Sequence, residues 1–113
     1  MQDKKPMQNT ELDANNPELL RNKLSLETAL IGWRELEVHY ARGCVVQVDG
    51  SLDLAEVGLQ LVQDNKTQVQ DWMAQGQLGA VPTTVAASWH EQANQVWALV
   101  VAPWVLVQHR PVQ

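Results

Sequence analysis

The chain has 113 residues and a mass of 12.7 kDa, enough for one small domain with a single core. Hydrophobic residues make up 45% and charged residues 19%, a globular rather than a disordered composition; the aromatic set is five Trp, one Tyr and no Phe. A formal net charge of −5 and a pI near 5.0 argue against a protein built to grip phosphate backbones or anionic lipid, and the single Cys44 excludes an internal disulfide.

Residues 1–15 are polar and aperiodic and are expected to form a flexible arm; residues 16–108 read as one domain and 109–113 as a tail. Asn16-Pro17-Glu18 predicts a helix start, with a capping side chain, a proline at the first helical position and an acid at the positive end. Leu26, Leu30, Trp33, Leu36 and Tyr40 then recur at helical spacing, so one long helix is expected, bending or starting late near Ser25 and ending at Arg42-Gly43. Cys44–Val48 reads as a short β-branched strand, closed by Asp49-Gly50. Asp53 followed by Glu56 has capping-box spacing, with Leu52 and Val57 at the staple positions, and opens a helix to about Gln63. Asn65 caps a third helix with Val69, Trp72 and Met73 inward, ending at Gly76. Gln77–Val81 is a short extended piece, Thr83 or Thr84 caps a fourth helix carrying Val85, Ala86, Trp89 and Ala93, and Val96–Val107 is an apolar strand interrupted by Pro103.

The apolar run at the C-terminal end is too short to span a bilayer, and the polar residues after Lys4-Lys5 do not make a signal peptide, so a cytoplasmic setting is expected. The three histidines, at 39, 90 and 109, lack metal-ligand spacing; His90-Glu91 begins like a zincin helix, but Asn94 stands where the second imidazole belongs. Cys44 follows a helix end, where the dipole has the wrong sign to activate a thiolate, and reads as a core residue. No catalytic set, metal site or cofactor is expected. The polar cluster that remains is Asp49, Asp53 and Glu56 with Asp64 further on: carboxylates at a strand-to-helix turn can bind a cation or ligand or act as acid and base, though capping and turn formation already explain most of them.

The helices at Leu54–Gln63 and Lys66–Gln75 make a helix-turn-helix-like pair, similar to that of small excisionase-type and related winged-helix DNA binders. The second helix carries Lys66, Gln68, Gln70, Asp71 and Gln75, a set without net positive charge, so nucleic acid is disfavoured as a partner.

A wider resemblance covers roughly residues 17–108. Leu26-Glu27-Thr28-Ala29, Trp33-Arg34-Glu35-Leu36, Val48-Asp49, Ser51-Leu52-Asp53-Leu54 with Glu56-Val57, Val69 with Trp72, and the closing run from Trp97 through Ala102-Pro103-Trp104 to Val107 resemble the bacterial family catalogued as domain of unknown function 2288. Gly50 stands where proline is expected in such proteins, one turn residue for another. The resemblance implies a bacterial cytoplasmic protein and brings no activity, cofactor or catalytic residue.

The expected fold is α+β and winged-helix-like: four helices and a small antiparallel sheet of about three strands, with the last strand central. Trp33, Trp72 and Trp89 fall on inner helix faces, whereas alternation sends Trp97 and Trp104 to opposite faces of a regular strand unless Pro103 shifts the register. The favoured function is a non-enzymatic interaction module that engages a protein partner or a second copy through a sheet edge or an exposed Trp97 or Trp104, without a membrane. An acidic-site enzyme or cation binder and helix-turn-helix DNA binding are the alternatives.

Overall fold

A computed structural model describes residues 16–110. The expected arm at 1–15 and the last part of the tail, 111–113, lie outside the described residues. In chain order the elements are α1 (Pro17–Glu27), β1 (Ala29–Gly32), α2 (Trp33–Ala41), β2 (Val45–Val48), α3 (Leu54–Val62), α4 (Lys66–Ala74), β3 (Leu78–Gly79), α5 (Thr83–Glu91), β4 (Gln95–Val101) and β5 (Trp104–Gln108). The class is α+β, but the sheet has five strands in the order β1-β4-β5-β2-β3 and is mixed: β2 runs parallel to β5, and every other pair is antiparallel. The sheet carries a core on each face, which separates it from the expected three-stranded winged-helix arrangement. One core joins Trp33 and Leu36 of α2 with Ala86 and Trp89 of α5; the other joins Leu24 of α1 with Leu54, Val57 and Leu59 of α3, and Val69 and Trp72 of α4 pack against it.

The expected first helix is two helices with a strand between them. Asn16 caps α1 by accepting from the Glu18 and Leu19 amides at 3.0 and 3.3 Å. At the other end the Thr28 hydroxyl donates to the Leu24 carbonyl at 3.1 Å, and its backbone turns extended. Ala29–Gly32 then pairs with Ala98 to Gln95 of β4. The i to i+4 spacing of Leu26 and Leu30 suggests a helix face, but these residues are 87% and 47% exposed. The free edge of β4 offers the backbone a ladder that helix propensity does not outweigh.

The run expected as one closing strand is the hairpin β4–β5, turning at Ala102 and Pro103. β5 is the central strand, and its Val105, Leu106, Val107 and Gln108 are all buried, which accounts for its unbroken apolar run. Alternation puts Val105 and Val107 in the α2–α5 core and Leu106 in the α1–α3 core. Gly58 lies where α3 crosses β4: a Cβ there would stand 2.8 Å from Leu99 Cδ2. Gly43 and Gly76, after α2 and α4, have φ of +76° and +77°, as helix-ending glycines should. α5 begins after Pro82 with no side-chain cap, in place of the expected threonine cap. Trp33 and Trp89 are buried edge to face at 5.0 Å, while Trp72 is half-buried.

Candidate functional site

The sheet opens between β2 and β3. Their ladder holds only Gln47↔Gly79 and Val48↔Leu78, and Pro82 follows close behind, so Val45 and Val46 have no register partner on that side. A cleft of about 330 Å³ occupies the gap. Val45 and Val46 line it from β2, Leu61 from the last turn of α3, Val69 and Met73 from α4, and Trp104 from the start of β5. Gly43, Leu78, Gly79 and Ala80 complete the lining; none of the side chains is charged, and the indole N–H of Trp104 is their one hydrogen-bond donor. Trp104 is 39% exposed and Met73 55%, so both stand at the mouth.

Trp97 is the other candidate at an interaction surface. It is half-buried against the α1–α3 core, with the Arg110 guanidinium 5.6 Å from its ring centroid. Register pairs it with Gln108 and pairs Val101 with Trp104. The hairpin turn therefore puts Trp97 and Trp104 on one face of the sheet, at opposite ends of β4–β5, where an uninterrupted strand would have opposed them.

Three of the four carboxylates are tied into local structure, and the fourth residue, Asp64, acts through its backbone. Asp49 accepts from the Ser51 hydroxyl at 2.5 Å and the Ser51 amide at 2.9 Å; these bonds, the hydroxyl first, hold its carboxyl below the usual aspartate range. Asp53 caps α3, accepting from the Ala55 amide at 3.2 Å. Glu56, expected to close the capping box, instead pairs with Arg21 of α1 at 2.5 Å and accepts from Gln60 at 2.7 Å. Asp64 supplies the left-handed residue, φ 57°, between α3 and α4. Among the described residues no three His, Cys, Asp or Glu are grouped as a cation's ligands would be. Asp49 and Trp104 line different concavities: Asp49 sits in a polar groove with Gln47, Gln77 and His109. Cys44, expected in the core, is only half-buried just before β2, and His90 accompanies Glu37 on the surface at 2.8 Å.

Gln108 reads from sequence only as the last residue before the tail, yet it is fully buried. Its amide donates to the carbonyls of Asp49 and Leu52 at 2.8 and 2.7 Å, locking the acidic turn to the central strand, and its oxygen accepts from Arg110 at 2.6 Å. A Gln closing an apolar run that reads strand on both faces is the sequence signal for a buried polar clamp. Met73, expected on the inner stripe of its helix, stands at the cleft mouth. The polar positions Lys66, Thr67, Gln68, Gln70 and Asp71 around it mark a helix too poorly apolar to be sealed, and α4 has no fully buried residue.

No helix among the described residues is long and apolar enough to cross a membrane. No functionally curated protein matches the chain. The solution structure of PA1075 from Pseudomonas aeruginosa is similar over 80% of this chain and 83% of that one, with 43% identity and a TM-score of 0.71. The profile of a family described as protein of unknown function, DUF2288, matches residues 19–109, so it is to this family that the chain belongs.

Proposed function

We propose that the chain is a non-enzymatic protein-interaction module of the bacterial cytoplasm, which takes an apolar segment of a protein partner into the Trp104 cleft. The cleft itself carries the reading: its side chains are uncharged and, but for the indole N–H of Trp104, apolar, and that large aromatic residue stands at its mouth. Half-exposed Trp beside an apolar depression is the usual anatomy of a binding hot spot. Acid–base or nucleophilic chemistry needs titratable groups converging on a bound atom, and no side chain lining this cleft titrates. At about 330 Å³ it holds one or two large apolar side chains, the low end of the roughly 300–1,000 Å³ typical of small-molecule sites.

Site-specific photo-crosslinking in the cells that make the protein tests this. A crosslinking residue at position 104 is expected to capture discrete protein adducts that are absent when it is placed at exposed Val38 on α2, and that disappear on adding Val69→Asp. The same adducts from both positions, or none from 104, would refute the reading. A small apolar molecule found in the purified protein by native mass spectrometry would replace it with ligand binding.

A further inference from the structure

We infer that two copies of the chain join through β1, antiparallel and about a two-fold axis at Leu30, to make one continuous ten-stranded sheet from two five-stranded ones. Among the described residues β1 is a terminal strand, paired with β4 on one side and with no strand on the other. The Trp33 amide donates to the Asn94 carbonyl at 2.8 Å, which fixes the phase of the ladder: Trp33, Ile31 and Ala29 turn their backbone groups toward β4. Leu30 and Gly32 therefore turn theirs outward. So does the Thr28 carbonyl, while the Thr28 amide is already given to Ser25.

That outward row is its own complement. With Leu30 opposite Leu30 of a second copy, each Leu30 amide meets the other's carbonyl, and each Gly32 amide meets the other's Thr28 carbonyl. A two-fold axis normal to a sheet keeps each side chain on its face only when a residue pairs with itself or with a neighbour an even number of positions away. The Leu30-centred register satisfies this condition.

The edge also lacks the devices that keep edges single. No residue from Thr28 to Trp33 is charged, and none is proline. The opposite edge, β3, is two residues long and soon followed by Pro82. Leu30, on the edge strand itself, is 47% exposed in one copy, and a second copy would cover apolar surface there. β1 lies at the far end of the sheet from the Trp104 cleft, so this inference is independent of the proposed function.

Sedimentation equilibrium of the whole chain reads the association directly. The expected mass rises with concentration toward about twice 12.7 kDa, and Leu30→Lys weakens the dimer about tenfold or more while Trp104→Ala leaves it unchanged. Hydrogen exchange on the unaltered chain supplies a second readout: the Leu30 and Gly32 amides exchange freely when dilute and become protected as the protein is concentrated. A monomer at all concentrations, a dimer indifferent to Leu30→Lys, or Leu30 and Gly32 amides whose exchange ignores concentration would each overturn the assignment.

Discussion

Replacing Gln108 tests how the acidic turn is held. Its side-chain amide makes two bonds, to the carbonyls of Asp49 and Leu52, from a fully buried position. Gln108→Leu keeps much of the volume and removes both donors. Two bonds worth about 1 kcal/mol each, with the Leu52 carbonyl left short of a partner while the Asp49 carbonyl keeps the Leu52 amide, put the loss at roughly 2–3 kcal/mol. For a domain of this size that lowers Tm by about 10–20 °C. Gln108→Glu is the sharper case. The carboxylate keeps the bond from Arg110, but its second oxygen now faces two carbonyl oxygens, so about 3–4 kcal/mol is expected at pH 7. Burial against those oxygens raises the folded-state pKa of the introduced carboxyl above its unfolded value. The neutral acid is then favoured in the fold: its stabilising bond is fully present below the unfolded pKa and is lost as pH rises through the folded one. The deficit of Gln108→Glu relative to the parent should therefore shrink between pH 7 and about pH 4, while that of Gln108→Leu stays level. Urea melts of the three proteins across that range measure both effects. If both variants melt within about 2 °C of the parent, or if the Gln108→Glu deficit does not change with pH, the clamp is not carrying the turn.

Gly58→Ala is expected to destabilise by about 1 kcal/mol. The new Cβ would stand 2.8 Å from Leu99, which has no room to yield, and the resulting overpacking exceeds the helix-propensity gain; thermal melting should show the deficit, and Gly58→Ala with Leu99→Val should recover part of it. Asp49 should titrate below the usual aspartate range by NMR, and Ser51→Ala should bring it back up. Because the folded value is lowered, the Asp49–Ser51 contact favours the fold above the aspartate range and is lost as pH falls through the lowered value, so Ser51→Ala should matter least in acid.

Local chemistry is legible in the sequence wherever one residue decides a conformation. Asn16, Asp53 and Asn65 cap the helices they are expected to cap, and Gly43 and Gly76 take the left-handed turns after α2 and α4. What escapes is what two distant segments decide together. Ala29–Gly32 is a strand only because β4, far later in the chain, offers an edge on which Ala29 meets Ala98, and the apolar spacing around Leu30 suits either structure. Glu56 leaves its capping box because Arg21 is within reach on a helix packed across α3. In the acidic cluster, the capping role of Asp53 is legible but the ion pair of Glu56 with Arg21 is not, since that depends on tertiary placement. The Trp104 cleft is half legible: the sequence marks Trp104 as a surface candidate, but the cavity exists because the β2–β3 ladder stops after two pairs, and no single residue announces that.

The position of β5 has a consequence for how the molecule comes into being. The strand at the middle of the sheet is the last of the described elements to be synthesised. Until Trp104–Gln108 leave the ribosome, β1 with β4 and β2 with β3 are separate pairs with nothing between them, and each core lacks the residues of its central strand, Val105 and Val107 on one face and Leu106 on the other. The nascent chain must therefore hold its apolar helices without a complete sheet to lie on, and neither core is complete before that strand emerges.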